Sequence, residues 1–289
     1  MKATLLLTAA QSGARRIPMG LVVAAALFLL QNATANPTTV NLGTASSFAV
    51  LAGSTVTSTG NTIVNGDLGL YPGTSVTGFP AGVVNGTMHV ADAVAQQAQT
   101  DLLAAYNAAA GLAPTGGTLT GQDLGGLTLT PGVYFFASSA QITGQLTLDA
   151  QGLSDPVSVF QIGSTLTTAS GPNASSVVLV NGAQACHVFW VVGSSATLGT
   201  SSDFVGNILA VTSITADTGA TVDGRLLAEN GAVTLDNNTI TEAICNAGSS
   251  VPDGGSTLLL LGFGVLSLLA FVEVGGRTMI LNQNRRAIY

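Results

Sequence analysis

Between Asn36 and Ser250 the chain has one basic side chain, Arg225, and over all 289 residues charged side chains make up only 7%. A surface so poor in Lys and Arg has nothing with which to neutralise phosphates. This excludes nucleic acid as a partner and leaves no electrostatic hold on an anionic membrane surface. Aromatics are also scarce, at 5%, although 47% of the residues are hydrophobic. The apolar content is mostly Ala, Val, Leu and Ile, interleaved with Thr, Ser, Asn and 36 glycines. That is the palette of short strands and tight turns, and the low charge rules out charge-driven disorder. Cysteine is limited to Cys186 and Cys245. In an oxidising compartment such a pair most simply forms a disulfide; zinc is the alternative, because His187 adjoins Cys186, but His89 is remote in sequence. The acids stand singly, with no Gly-Gly-x-Gly-x-Asp repeat or Asp-x-Asp loop for calcium. No metal and no cofactor are expected.

The two ends read differently from the middle. Lys2, Arg15 and Arg16 precede the run "IPMGLVVAAALFLL", and Ala33 and Ala35 supply an A-x-A cleavage site, so residues 1–35 read as a secretory signal peptide. The pair Arg15-Arg16 is also found in twin-arginine signals, but its surroundings, "GARRIPM", fit ordinary secretion better. Near the other end, residues 256–272 are apolar almost without interruption and are followed by Arg277, Arg285 and Arg286. A run close to the ~17-residue minimum with arginines behind it reads as a spanning helix with a positive-inside anchor. In front of it Val251, Pro252, Asp253, Gly254 and Gly255 form "VPDGG", which resembles the bacterial PEP-CTERM-type sorting signals that begin Val-Pro-Asp, with Gly254 where Ser is more usual. The resemblance implies processing by an exosortase-type enzyme after signal peptidase, and membrane contact through residues 251–289 alone.

A repeat runs through the middle. Gly206 and Gly224 are 18 residues apart, as are Leu209 and Leu227, and Trp190 precedes Leu209 by 19. "HVFWVVGSSATLGT", "GNILAVTSITADTGAT" and "GRLLAENGAVTLDNNT" align as apolar run, small-polar corner, alternating strand and second corner. Units this short cannot bury their own apolar side, so they must stack into a β-solenoid with Val, Ile and Leu inside. One segment breaks the pattern. "TMHVADAVAQQAQTDLLAAYNAAAGL" has Val90, Val94, Ala98, Leu102, Ala105 and Ala109 on one stripe, with Thr87 to cap its start and Gly111 its end, predicting a helix over about 88–110. A stripe so rich in Ala calls for a close, flat neighbour, which the side of the solenoid supplies.

From about Val40 to Thr241 the motifs "SSFAVLAGSTVTSTG", "NGDLGLYPGTSVTGFPAG", "LGGLTLTPGVYFF", "FQIGSTLTTASG" and "NGAQACHVFWVVGSSATLGT" occur in the order seen in microbial ice-binding proteins, which the chain resembles. The resemblance implies a mainly β fold for residues 36–250: a right-handed, discontinuous β-solenoid with one long helix along its side, to which the C-terminal apolar helix is added. It also implies an ice crystal surface as partner, met by a flat Thr-rich face. Family members often carry Thr-Ala/Gly-x-Thr/Asn on that face, matched here by "TGAT" at Thr218–Thr221 and "TGNT" at Thr59–Thr62. On this basis the face is expected at Thr59, Thr62, Thr200, Thr218, Thr221 and Thr239, with Asp203 as a carboxylate beside the row. Thr also favours exposed strand positions for reasons unrelated to ice.

Catalysis is the contrasting expectation. β-Solenoids host polysaccharide lyases and hydrolases, which need clustered carboxylates or basic groups. The sole candidate is Asp223 and Glu229 around Arg225, which reads as a solvated structural pair, so no enzyme is expected. A surface adhesin or glycan-binding solenoid is the alternative to ice binding.

Overall fold

The computed structural model describes residues 39–245. The signal peptide, the sorting motif and the apolar run at 256–272 lie outside these residues, and among the described residues no helix is long and apolar enough to cross a membrane.

Each coil has three segments. Val188–Val192 is followed by Ala196–Leu198 and then by the eight-residue strand Asp203–Ala210. The second half of that strand returns to lie beside the first segment, pairing Trp190 with Ile208 and Val191 with Leu209 in parallel. The repeat is therefore 18 residues here as well, and the 19-residue match of Trp190 to Leu209 is one position out. Asp203–Ala210 pairs along its whole length with Thr221–Ala228, Gly206 opposite Gly224. Both glycines have positive φ, 111° and 156°, where the strand turns from one side of the solenoid to the next. An added Cβ on Gly206 would lie 2.8 Å from Trp190 Nε1.

Sequence order and stacking order differ. One sheet has seven strands in the order Ala140–Ile142, Leu166–Thr168, Ala196–Leu198, Ile214–Ala216, Val233–Asp236, Thr55–Thr59 and Ser75–Thr77. Strands from the beginning of the chain thus extend a stack whose other members come from Ala140 onward. The helix Ala93–Ala110 lies between these two groups in sequence.

That helix starts later than its stripe predicts. Met88–Val90 is a strand paired with Leu68–Leu70, and Asp92, not Thr87, caps the helix by accepting from Ala95 N–H at 2.8 Å. Val94 is consequently 47% exposed, while Ala95, Ala98, Leu102, Ala105 and Ala109 are buried. Ala98, Leu102, Ala105 and Ala109 pack with Phe48, Leu51, Phe189, Val191, Leu209 and Leu227 on one side of the solenoid. The alanines let the helix backbone approach the sheet closely, and this whole side is lost to solvent.

Inside the coils, Tyr134, Phe160 and Trp190 occupy one register and stack with ring centroids 5.4 and 4.1 Å apart. Trp190 Nε1 donates to Val205 O at 3.0 Å, which satisfies the polar end of the indole. One buried glutamine does more than fill space. Gln161, 7% exposed, donates through Nε2 to the carbonyls of Ala109 and Leu112, each at 2.8 Å, closing the C-terminal end of the helix where carbonyls lack helical partners. Gln161→Leu is expected to lower stability by about 1–3 kcal/mol, the cost of leaving such carbonyls unsatisfied, read as a reduced thermal midpoint with an unchanged folded-state spectrum.

Candidate functional site

The solenoid's three sides are unequal. One is covered by the helix. A second carries Asp203, Asp223, Ile63 and Val83 facing outward, mixing charge with exposed aliphatics. The third is the seven-stranded sheet.

In that sheet the apolar alternate residues Ala140, Leu166, Ala196, Ile214, Val233 and Val56 are buried, so the residues between them point outward. Parallel register places Gln141 beside Thr167, Thr167 beside Thr197, Thr197 beside Thr215, Thr215 beside Thr234, Thr234 beside Thr57 and Thr57 beside Thr77. No register shift interrupts this series, so six threonines and one glutamine form a single straight column. Adjacent members stand about 4.7–4.9 Å apart, the strand spacing. Two residues earlier in each coil lie Ser139, Thr165, Ser195, Ser213, Ala232, Thr55 and Ser75, at or just before the strand starts, a second small column at about 6.5–7 Å from the first. Thr165 Oγ1 donates to Ser139 Oγ at 2.8 Å, and Ser213 and Ser195 accept from backbone N–H groups of the next coil.

The array is stiff before anything binds. Thr is β-branched and restricted in χ1, and its backbone is fixed by the ladders on both sides. Each threonine offers a hydroxyl that can hold a water and a methyl that excludes a disordered one. From Gln141 to Thr77 neither column carries a charged side chain; Asp123, bridged to Gln141 and accepting from its Nε2 at 2.8 Å, stands at the end of the first.

The six threonines expected from sequence do not gather on this face. Thr59 ends the strand Thr55–Thr59 and is exposed there, its Oγ1 donating to Asp236 Oδ1 at 2.7 Å. Thr218, at the following corner, donates to the other oxygen of Asp236. Thr200 is half-buried at the equivalent corner, its N–H bonded to Ser170 Oγ. Thr221 and Thr239 stand beside each other on the adjoining side, where Thr221 Oγ1 donates to Asp203 Oδ1 at 2.7 Å. Thr62 is 0% exposed and cannot touch a surface. Its Oγ1 instead reaches Thr59 O and accepts from Asn238 N–H. "TGNT" and "TGAT" are therefore not equivalent in space: Ile63, not Thr62, shares a register with Thr239 and Thr221.

Two further expectations meet the structure. Cys186 and Cys245 are joined as a disulfide that ties the last described residues to the stack, with His187 Nε2 3.5 Å from Cys245 Sγ. Arg225 is not a solvated partner of Asp223 and Glu229. It is 5% exposed and donates to Ser46 O at 2.6 and 2.8 Å, to Asn207 Oδ1 at 2.9 Å and to Glu242 at 3.2 Å. Burial raises the Glu242 carboxyl above its ordinary range, with Arg225 opposing. This network locks the N-terminal segment to the coils.

The family described as ice-binding-like matches residues 50–241. An ice-binding protein of Nostoc sp. (strain HG1) is 56% identical over 232 residues, spanning 79% of this chain and 84% of the relative. A crystal structure of an ice-binding protein from an Antarctic biological consortium is 50% identical with a TM-score of 0.69, over 72% of this chain and 93% of the other. That of the Antarctic ascomycete Antarctomyces psychrotrophicus is 46% identical with a TM-score of 0.68, over 72% and 100%. The shared architecture of parallel sheets and one helix, at this identity and over these lengths, makes the chain a member of the ice-binding-like family.

Proposed function

We propose that this chain binds ice, and that the seven-stranded sheet is the binding face. The observation that carries the reading is the outward column Thr167, Thr197, Thr215, Thr234, Thr57 and Thr77, which no charged residue interrupts, on a regular side that no helix covers. The relatives named above are ice-binding proteins, which supports the same activity here. A rigid grid of hydroxyls and methyls can order surface water before contact, so little conformational entropy is lost on adsorption. Charged side chains hold their own hydration shells and would oppose that ordering. Thr59 and Thr218 extend the face to its corner, whereas Thr221 and Thr239 belong to the adjoining side.

Adsorption to ice needs no catalytic group, and we read the protein as non-enzymatic. The disulfide accords with export to an oxidising compartment. We place the solenoid outside the cell, delivered by the signal peptide, with residues 251–289 as a sorting tail and membrane anchor processed by an exosortase-type enzyme. The test is ice recrystallisation in dilute solution. Small grains that persist in the presence of oxidised protein support the reading; grains that coarsen at the buffer rate around a folded protein would replace it with adhesion or glycan binding on the same scaffold.

A further inference from the structure

A carboxylate stands on the proposed face. Asp236 follows Thr234 by two residues on its strand, so it points the same way, and it shares a register with Thr59. An isolated ionised carboxylate there would carry a tight hydration shell into the contact plane. Asp236 is not isolated. Thr59 Oγ1 donates to Oδ1 from one neighbouring coil, and Thr218 Oγ1 donates to Oδ2 from the coil on the other side. The backbone beneath is pinned as well. Asp236 N–H donates to Asn238 Oδ1 at 2.6 Å, and Asn238, 1% exposed, donates to Asp217 O and Ala220 O.

We propose that Asp236 is a positioning residue for ice binding: its carboxylate clamps the hydroxyls of Thr59 and Thr218 across three successive coils and so builds a third ordered column at the edge of the face. An ionised carboxylate only accepts, so both hydroxyl hydrogens must point at it. Each Thr oxygen keeps its lone pairs free to accept from water, and two rotors that would otherwise be ordered on contact are fixed in advance. The clamp also accounts for a carboxylate on the face, because hydrogen bonds from the protein take the place of much of its bound water.

The clamp depends on ionisation. The hydrogen bonds from Thr218 and Thr59 hold the Asp236 carboxyl below its ordinary value of 3.8. The arrangement is therefore intact at all higher pH and is lost as pH falls through that lowered value. Asp217, on the residue after the strand Ile214–Ala216, is the other carboxylate at this corner. Among the described residues the Arg and His side chains Arg225, His89 and His187 are engaged at Glu242, Asp92 and Cys245 respectively.

The proposal rests on the seven-stranded sheet being the ice-binding face, and the experiment separates the two. Thermal hysteresis is measured for the parent, Asp236→Ala, Asp236→Asn and Thr215→Tyr, each with a thermal melt. Asp236→Ala is expected to lower hysteresis about twofold, because two hydroxyls must then be ordered on contact. Asp236→Asn should lie between, since its Oδ1 still accepts from one Thr. Parental activity should fall below pH 3.8 while that of Asp236→Asn stays level. Undiminished or increased hysteresis in Asp236→Ala would overturn the clamp and leave the face intact, whereas undiminished hysteresis in Thr215→Tyr would remove the face itself. Should the alanine variant melt early, Asp236→Asn decides: full activity at neutral pH with the parent's acid profile overturns the proposal.

Discussion

Thr215→Tyr is expected to reduce ice adsorption about tenfold or more, equivalent to losing about 1.4 kcal/mol of adsorption free energy, while leaving the fold unchanged. Thr215 stands between Thr197 and Thr234, near the middle of the column. Its side chain points out, with buried Ile214 and Ala216 on either side in sequence, so a larger group meets solvent and not the core. A phenol ring at that position raises a ridge across a flat grid and lifts neighbouring threonines on both sides away from the contact plane. A side chain that merely contributed one hydrogen bond would give a much smaller effect. The control is Thr221→Tyr on the adjoining side, which should change hysteresis little. Equal losses from both would spread the binding surface across the corner; loss only from Thr221→Tyr would move the face to the sheet that includes Thr239.

Gly224→Ala carries the largest expected cost in stability. A Cβ built on Gly224 would lie 1.9 Å from Gly206 O, an obstacle of backbone that cannot rotate aside. Relieving it means opening the ladder between Asp203–Ala210 and Thr221–Ala228 at the bend. A loss of about 3–5 kcal/mol is expected, placing the midpoint about 10 °C or more below the parent for a domain of this size. Gly219→Ala provides the contrast. Gly219 has φ 73° but no atom closer than 3.8 Å to its added Cβ, so the penalty is the conformational one alone, about 1 kcal/mol. Comparable midpoints for the two variants would mean that the close stacking of Gly206 and Gly224 does not limit the fold.

The repeat was legible because coils of one solenoid must return to the same side at a fixed interval. Gly206 and Gly224, and Leu209 and Leu227, mark that interval and pair in register. The pairing of Cys186 with Cys245 was legible from their number taken with the signs of export. The start of the helix was not, because Met88–Val90 has a helical spacing in sequence and becomes a strand only when Leu68–Leu70 offers an edge. Nor could residue spacing alone place Thr55–Thr59 beside Val233–Asp236; that neighbour is set by how the ends of the stack meet.

The residues expected from the sequence and the column proposed as the face part company for a more instructive reason. The expected residues followed a corner motif, and its two copies sit one residue apart in register: Ser58 and Ala216 share a register through Leu235, but TGNT begins one residue after Ser58 and TGAT two residues after Ala216. The copy that ends at Thr221 therefore reaches the register of Thr239, while the copy that ends at Thr62 stops one residue short of Ile63 and turns inward. The usable signal lay in the strands. Thr55-Val56-Thr57, Ser75-Val76-Thr77, Thr165-Leu166-Thr167, Ser195-Ala196-Thr197 and Ser213-Ile214-Thr215 all read hydroxyl, apolar, Thr. Ala232-Val233-Thr234 and Ser139-Ala140-Gln141 vary it at one position each. Alternation within three residues fixes which side faces out, and one side chain per coil then lines up without any reference to corner length.

The most direct test of the account is to watch fluorescently labelled protein on a single ice crystal, the parent beside Thr215→Tyr, with both shown to be folded. The account predicts that the parent coats the crystal and stays when the surrounding solution is exchanged, while the variant washes away. A folded parent that never concentrates on ice, or a variant that coats it equally, would contradict the claim that this threonine column is an ice-binding face.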